Sequence, residues 1–274
     1  MDTSQPQTVD QILGRYETEC LPELAPRTQR DYRRHLRHLS REFGARIAEE
    51  LRPKDFGPFL QIKRGKVQRV RQLAVLSAAF TQAVSFWYIL PSNVLRDVKR
   101  PKQHPRDRLI LDEEFVAFRA TCPLRIKLMM DLALHTGQRQ GDLLALRWAD
   151  LKGMELHFQQ SKTGKRLAIG ITPELEAVLD RCWLLPNRKL HVVGKEDGDP
   201  YTPEGFRSCW QRVARRWRQK HEGFQFRDIR AMAATKCPTV EAARCLLGHS
   251  TTAMTWKVYR RGIERSQALS TPLA

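Results

Sequence analysis

Near its end the chain places a tyrosine, Tyr259, ten residues after His249 and directly before two arginines. A tyrosine hydroxyl, with a pKa of about 10, is almost fully protonated at neutral pH and is a weak nucleophile. Positive charge nearby favours the phenolate and also attracts a phosphodiester. Tyr259 is therefore a candidate nucleophile for attack on phosphate. The alternative is an ordinary half-buried aromatic residue on a basic helix.

A second candidate group lies within residues 136–148. Arg139 and Asp142 stand three residues apart, so on a helix they share a face and the carboxylate can orient the guanidinium. The alternative is a surface ion pair, which would contribute little to stability. Gly137 and Gly141 flank the arginine at places where the backbone must approach another group closely, and this favours the first interpretation.

The charge of the chain indicates a polyanionic partner. Its 274 residues carry a formal net charge of +18 with a pI of about 10.1, which suggests nucleic acid or an anionic membrane surface. Residues 1–108 and residues 109–274 each have a net charge of +9. Both halves therefore face the same polyanion, as in a protein wrapped along DNA.

The elements that must position these residues divide into two domains. Residues 1–97 predict a helical DNA-binding domain with helices starting near Thr8 and Pro26, a short segment at Pro53, and a long helix over residues 67–90. The second helix is rich in arginine, and a merely solvated face usually mixes both charge signs. The predicted DNA contacts are Arg27, Arg30, Arg33, Arg34, Arg37, Lys63, Arg64 and Lys66.

Residues 98–108 combine two prolines with five cations and predict an extended basic linker. The second domain, residues 109–274, is predicted to be mostly helical. Alternating residues 154–159 and 166–169 flank turn residues and predict a hairpin with lysines at its tip. The expected fold is therefore mainly α with a small β-hairpin or sheet, with an α+β second domain.

Other features exclude several classes of protein. The six cysteines include no CxxC pair, so reduced buried thiols are expected rather than a zinc site or a disulfide framework. The N-terminus has no cationic start followed by an apolar stretch, which argues against a secretion signal. The apolar run over residues 73–90 contains four polar residues and predicts a buried helix rather than a membrane span. A cytoplasmic, nucleoid-associated protein is expected.

Five segments together resemble the tyrosine recombinase family, in particular phage integrases of the lambda type. They occur in the family's order over residues 110–265, and the N-terminal helices match the family's core-binding domain more loosely. The segments are Arg139 in its glycine-flanked run, Gln160-Ser161-Lys162-Thr163-Gly164, Arg230 in Phe226-Arg227-Asp228-Ile229-Arg230, Leu247-Gly248-His249, and Tyr259.

The resemblance implies a role for each of these residues. Tyr259 would attack the scissile phosphate and form a 3′-phosphotyrosyl link. Arg139 and Arg230 would hold the non-bridging oxygens and stabilise the transition state. Lys162 would protonate the leaving 5′-oxygen, and His249 would donate a hydrogen bond to the phosphate. The covalent link stores the bond energy, so no cofactor and no metal are expected.

The resemblance also implies partners: double-stranded DNA at specific recombination sites, a homotetramer on synapsed DNA, and possible accessory bending or directionality factors. Two domains would close on DNA as a C-shaped clamp. No additional arm-site-binding domain is expected, because the first predicted helix begins close to residue 1.

Two departures from the family pattern stand out. Arg227 occupies a position where the family usually has histidine, and arginine cannot accept a proton near neutral pH, although it can contact phosphate. The spacing from His249 to Tyr259 is ten residues rather than nine. The leading interpretation is the recombinase of a phage or mobile element. Two alternatives remain: a type IB topoisomerase with the same chemistry, and a catalytically inactive DNA-binding regulator.

Overall fold

The protein divides into two compact units, Met1–His104 and Pro105–Ala274. The computed structural model describes residues 6–62, 65–102 and 106–256. The sequence predicts a linker over residues 98–108. Val98 belongs to the buried core of the first unit, whereas Arg106 donates hydrogen bonds within the second unit, to Asp228 Oδ2 at 2.9 Å and to the Gly223 carbonyl at 3.1 Å.

The first unit is helical. Its helices are α1 (Val9–Glu19), α2 (Pro26–Phe43), α3 (Gly57–Gln61) and α4 (Lys66–Ser85). Thr8 caps α1 as the sequence predicts: its hydroxyl accepts a hydrogen bond from the Gln11 amide at 3.3 Å, and the Gln11 side chain accepts one from the Thr8 amide at 2.8 Å. This reciprocal capping box satisfies two of the free N–H groups at the start of the helix.

Helix α4 ends earlier than the sequence predicts. The expected end lies near residue 90, but the helix stops at Ser85. Tyr88 then adopts a left-handed backbone with φ of 54°, and the Ile89 amide donates to the Ala83 carbonyl at 2.9 Å. The chain thus turns back over the helix end. The apolar residues beyond the helix end still contribute to the core, because Ile89 packs against it.

The core of the first unit lies where α1, α2 and α4 pack together. Its side chains follow the helical period that the sequence shows, because an amphipathic helix buries one stripe of apolar residues. The large side chains that are fully buried there are Ile12, Leu21, Leu39, Leu51, Phe56, Leu73, Leu76, Phe80 and Leu95.

The second unit surrounds a small sheet with helices. Its helices are α5 (Asp112–Ala120), α6 (Leu124–Thr136), α7 (Gln140–Ala145), α8 (Pro173–Trp183), α9 (Pro203–Trp217), α10 (Phe226–Lys236), α11 (Val240–Leu247) and α12 (Thr252–Met254). The sequence predicts four helices over residues 173–183, 203–219, 227–236 and 240–247, and α8, α9, α10 and α11 match them within two residues at each end. The core includes an aromatic group in which Phe118 lies 4.7 Å from Phe224 and 5.0 Å from Trp210, between ring centroids.

The sheet is antiparallel, with strand order β1 (Leu151–Lys152), β2 (Glu155–Gln159) and β3 (Arg166–Gly170). The sequence predicts the hairpin of β2 and β3; the two-residue β1 is additional. Leu156 and Phe158 of β2 are buried and alternate with more exposed residues, as expected for a sheet with one face on the core. The turn closes where the Gln160 amide donates to the Lys165 carbonyl at 2.8 Å.

Membrane-spanning helices, metal sites and cysteines can be assessed for the part of the chain that the structure describes. No helix there has both the length and the apolar character needed to cross a bilayer. No three His, Cys, Asp or Glu side chains there are grouped so as to hold a metal ion. All six cysteines are free thiols. Burial raises the pKa of Cys122 to about 11 and that of Cys182 to about 12. Only these two are buried as the sequence predicts; Cys245 is exposed, and the half-buried thiols are Cys20, Cys209 and Cys237.

Candidate active site

Two helix ends meet at the site, and each ends at a glycine with a left-handed backbone. Helix α6 ends at Gly137, with φ of 64°, and α11 ends at Gly248, with φ of 66°. A Cβ on Gly248 would lie 2.8 Å from Gln160 Nε2, and one on Gly137 would lie 2.9 Å from Leu247 Cδ2. Only glycine combines this backbone with so little space, so both glycines allow the helix ends to approach.

Arg139 stands at the start of α7, where its backbone is extended before the first helical turn. Its Nη1 atom donates a hydrogen bond to Gln160 Oε1 at 3.0 Å. The side chain is 24% exposed, so part of the guanidinium reaches solvent. One end of the group is therefore held by the protein while an anion can approach the other.

Asp142 lies on the same helix face as Arg139, as their spacing predicts. Its Oδ2 atom is 3.8 Å from Arg139 Nη1, which is an ion pair without a short hydrogen bond. Its Oδ1 atom accepts two hydrogen bonds from Ser161, from the amide at 2.9 Å and from the hydroxyl at 2.7 Å. Asp142 therefore fixes the start of the hairpin turn more firmly than it fixes the guanidinium.

Arg230 is buried in α10, with 3% of its surface exposed. Its Nη1 atom donates to the Gly137 carbonyl at 2.5 Å, and its Nη2 atom donates to the Leu247 carbonyl at 2.8 Å. The Leu247 carbonyl also accepts a hydrogen bond from Gln160 Nε2 at 2.9 Å. Arg230 and Arg139, which are far apart in the sequence, are thereby linked through one carbonyl oxygen and one amide side chain.

His249 follows Gly248 and is only 3% exposed. Its Nε2 atom lies 3.2 Å from Arg230 Nη2, and its Nδ1 atom lies 2.8 Å from Thr255 Oγ1. A guanidinium only donates hydrogen bonds, so Nε2 accepts. The proton of the neutral ring is therefore on Nδ1, which donates to the Thr255 hydroxyl.

The electrostatic environment of His249 is strongly positive. Burial lowers its pKa to about 4, and the positive charges of Arg230, Arg139 and Lys165 add to that effect. The imidazole is consequently neutral at physiological pH. Three cations that act on one buried ring form a site suited to an anion.

The two lysines of the β2–β3 turn behave differently. Lys162, the residue singled out by the sequence, is exposed and makes no hydrogen bond or ion pair with any residue that the structure describes. Lys165 is also exposed, but its charge lowers the pKa of His249. The sequence predicts Lys165 at the hairpin tip without indicating a role for it, and only the fold brings its charge near the histidine.

Two further predicted residues are not joined to this cluster. Arg227 lies in the first turn of α10 and is exposed, without a hydrogen bond or ion pair to anything in residues 6–62, 65–102 and 106–256. Tyr259 lies outside the described residues. Thr255, four positions before it, is fully buried against His249. The sequence assigns no role to Thr255 or to Gln160, although Gln160 begins the hairpin segment of the family pattern, because neither residue type suggests chemistry by itself.

The predicted DNA-contacting arginines of α2 are all exposed, as is Lys66 at the start of α4, whereas Lys63 and Arg64 lie outside the described residues. Of the α2 set, Arg33 pairs with Glu17 at 3.3 Å. The sequence missed a second basic surface on α9 and the residue that follows it. Its exposed arginines are Arg207, Arg212, Arg215, Arg216 and Arg218.

Comparison with known families decides the relationship. The model of the phage integrase family matches residues 112–264, more than half of the chain. The chain belongs to the phage integrase family. The match covers Arg139, Arg230 and His249, and it extends through Tyr259.

Curated integrases resemble the chain over most of its length. The integrase of Escherichia phage HK022 is 27% identical over 266 residues, which cover 90% of this chain and 74% of that protein. The integrase of Escherichia phage lambda is 25% identical, with the same shares covered. A shufflon-specific DNA recombinase of Escherichia coli is 29% identical over 171 residues, which cover 60% of this chain and 42% of the recombinase.

Solved structures of the family share the fold. A lambda integrase dimer bound to a COC′ core site superposes with a TM-score of 0.83 at 24% identity, covering 97% of this chain and 81% of that one. A lambda integrase tetramer bound to a Holliday junction gives a TM-score of 0.84 at 23% identity, covering 98% and 82%. The predicted fold class, mainly α with a small sheet, is confirmed. As a phage integrase family member, the protein is a site-specific DNA recombinase, an enzyme that transfers DNA strands.

Proposed function

We propose that this site cuts and rejoins DNA through a covalent bond between Tyr259 and a 3′-phosphate. The observation that carries the proposal is the meeting of Arg139 and Arg230 at a buried, neutral His249. Their positive charge suits a phosphodiester, and planar guanidinium groups can each hold two of its oxygens. The chemistry then requires a nucleophile near these groups, and Tyr259 is the residue that the family pattern supplies.

Arg139 and Arg230 bind the non-bridging oxygens of the scissile phosphate in this mechanism. Arg230 donates to the carbonyls of Gly137 and Leu247, which fixes the plane of the guanidinium without placing a carboxylate charge against it at these two contacts. Such prearranged donors stabilise the charge that builds up in the transition state, and they need little reorganisation when substrate binds. The tyrosine phenolate attacks phosphorus and the 5′-oxygen leaves.

His249 donates a hydrogen bond to a phosphate oxygen in the proposed mechanism. In the structure its Nε2 atom accepts from Arg230, so this role needs a proton on Nε2. The Thr255 hydroxyl at Nδ1 can accept or donate, and it therefore fits either neutral tautomer. An approaching phosphodiester would favour the tautomer with hydrogen on Nε2, because that atom then faces negative charge.

Lys162 protonates the departing 5′-oxygen in the same proposal. Its exposed place on the β2–β3 turn leaves the ammonium free to reach DNA, and Lys165 adds positive charge beside the histidine. Arg227 contributes a phosphate contact from the first turn of α10. It cannot serve as a proton acceptor, so rejoining must proceed without one at that position.

The proposed substrate is duplex DNA carrying a specific recombination site, with integration or excision of a mobile element as the outcome. The exposed arginines of α2, with Lys63, Arg64 and Lys66, would follow its backbone. By analogy with the lambda integrase tetramer on a Holliday junction, four copies would assemble on two DNA sites. A DNA substrate of this kind would place the protein in the cytoplasm, and accessory bending factors would act there with it.

The test uses a DNA substrate nicked next to the scissile phosphate, so that the cleaved strand is lost and the covalent adduct accumulates. The wild type should form a protein–DNA adduct that survives denaturation, and Tyr259→Phe should form none while still binding DNA. Tyr201→Phe is the matched control, because that tyrosine packs against Phe206 in the core of the second unit. An adduct formed equally well by Tyr259→Phe would overturn the nucleophile assignment.

A further inference from the structure

Gln160 is fully buried at the base of the hairpin turn, and its side-chain amide has a partner for every hydrogen-bonding group. Its Oε1 atom accepts from Arg139 Nη1 at 3.0 Å and from Thr163 Oγ1 at 3.2 Å. Its Nε2 atom donates to Gln138 Oε1 at 2.8 Å and to the Leu247 carbonyl at 2.9 Å. An amide has two acceptor sites and two donor hydrogens, and all four are used.

The four partners come from separate parts of the second unit. Gln138 and Arg139 lie between α6 and α7, Thr163 lies in the β2–β3 turn, and Leu247 ends α11 directly before the Gly248-His249 pair. One side chain therefore joins the hairpin to an arginine of the site and to the segment that carries the histidine. Among the described residues, this side chain makes these connections and backbone hydrogen bonds do not.

The orientation of this amide is determined by its partners. Arg139 can only donate and the Leu247 carbonyl can only accept, so Oε1 must face the guanidinium and Nε2 must face the carbonyl. The space is equally constrained, because a Cβ on Gly248 would come within 2.8 Å of Nε2. A carboxylate of the same shape would lack the two donor hydrogens that face Gln138 Oε1 and the Leu247 carbonyl, and it would place a negative charge against Arg139.

We propose that Gln160 is a positioning residue for strand cleavage, which holds Arg139 at the phosphate and couples the hairpin lysines to the His249 segment. The inference rests on the proposed function, because it concerns the rate of the same cleavage step. A neutral acceptor suits this role because it orients the guanidinium and leaves its full charge available for the phosphodiester. A carboxylate would also accept a hydrogen bond from Arg139, but its charge would compete with the substrate for the guanidinium.

The experiment compares Gln160→Glu and Gln160→Met with the wild type on the nicked substrate, under single-turnover conditions and at saturating protein. Gln159→Glu and Gln159→Met are the matched controls, since that neighbouring glutamine is exposed on β2 and lies outside the network. Both Gln160 variants should cleave about 10- to 100-fold more slowly, which is the usual effect of losing a group that orients a functional residue. DNA affinity and the melting temperature are measured in parallel.

The pH profile separates positioning from simple structural support. In Gln160→Glu, the introduced carboxyl group faces two acceptors, Gln138 Oε1 and the Leu247 carbonyl, which favour its protonated form. The cleavage rate relative to wild type should therefore rise as the pH is lowered through the pKa of that carboxyl group. Gln160→Met has no titrating group, and its relative rate should stay flat. A relative rate of Gln160→Glu that stays constant through that pKa would overturn the inference, and so would wild-type cleavage rates in both Gln160 variants.

The two proposals fail in different ways. If the wild type forms no Tyr259 adduct, the proposed function fails whatever the Gln160 variants do. If the wild type forms the adduct and the Gln160 variants match the Gln159 controls, the positioning role fails alone. If a Gln160 variant shows no melting transition, Gln160→Asn takes its place. Asparagine keeps both hydrogen-bonding groups on a shorter side chain. This variant should retain part of the cleavage rate, and its rate relative to wild type should not depend on pH.

Discussion

The state of His249 follows from its neighbours rather than from its own chemistry. The ring is buried, accepts from Arg230 at Nε2 and donates to Thr255 at Nδ1. Both contacts are satisfied by the neutral ring, whereas a second proton would place a cation against another cation. The geometry and the lowered pKa therefore agree, and the site keeps a neutral imidazole beside Arg230 and under the influence of the Arg139 charge.

This pKa predicts how stability depends on pH. The pKa of His249 falls from an ordinary value of 6.5 to about 4 on folding. Between these values the unfolded chain binds a proton that the folded chain does not, so stability is full above about pH 6.5 and is lost as the pH falls towards 4. The loss attributable to this residue should be about 3 kcal/mol.

Urea unfolding followed by tryptophan fluorescence at about pH 7 and about pH 4.5 checks this expectation. His249→Gln removes the titrating group and should lose less stability than wild type over the same interval. His157→Gln is the control, because that histidine is partly exposed on β2 beside Glu155. Equal losses in wild type and in His249→Gln would contradict the assignment of a neutral, buried ring.

Arg139, Arg230 and His249 could be identified from the sequence, because each lies in a short segment with a recognisable pattern. The roles of Gln160 and Thr255 could not be identified in this way, although Gln160 begins the hairpin segment of the family pattern. The amide of Gln160 finds an acceptor 87 residues away, at Leu247, and such a contact exists only after the helices and the hairpin have packed. Lys165 remained ambiguous for the same reason, since a turn shows its orientation only in the fold.

At the scale of elements, the sequence predicted helices whose ends are marked by local signals. Thr172, Thr202 and Thr239 each cap the helix that follows through the side chain, so α8, α9 and α11 begin where expected. Helix α4 carries no such signal at its end. Its end depends on Tyr88, whose left-handed backbone no propensity rule would predict for that residue.

Three helices of the second unit are tied together by one buried carboxylate, Asp131 on α6. It accepts two hydrogen bonds from Arg119 of α5, both at 2.6 Å, and one from Arg181 of α8 at 3.2 Å. Its side chain is 8% exposed, whereas that of Arg181 is 47% exposed. The three residues are therefore unequal in their contribution to stability.

Asp131→Ala should destabilise the second unit by about 3 kcal/mol or more, because it leaves the Arg119 guanidinium without its bidentate partner. Arg181→Ala should cost less than about 1 kcal/mol, as expected for an exposed member of an ion pair. Chemical denaturation of the two variants measures the difference. Similar losses in both would show that the exposed arginine holds α8 more strongly than its solvent contact suggests.

At the scale of the whole molecule, positive charge is present in both units. The net charge of +18 is shared equally between residues 1–108 and 109–274, and exposed arginines cover α2 in the first unit and α9 in the second. Charge of one sign spread over both units favours electrostatic attraction to DNA over a long stretch. The relative arrangement of two domains closing on DNA stays a prediction.

The arginines of α2 provide a test of where DNA binds. Arg30 and Arg34 lie four residues apart and are both exposed, so they can contact neighbouring phosphates. Each phosphate contact adds about 0.9 to the slope of log affinity against log salt concentration. The double variant Arg30→Ala and Arg34→Ala should therefore lower the steepness of that slope by about 2, measured by titration at several salt concentrations.

A second double variant, Arg15→Ala and Arg188→Ala, serves as the charge-matched control. Both of these guanidinium groups lie over tryptophan rings, at 4.4 Å from Trp87 and 3.4 Å from Trp183. Removing them changes the net charge by the same amount without removing a member of the α2 surface. The control should weaken binding slightly and leave the slope nearly unchanged. If the two double variants reduce the slope equally, the total charge of the protein governs binding, and Arg30 and Arg34 make no specific phosphate contacts.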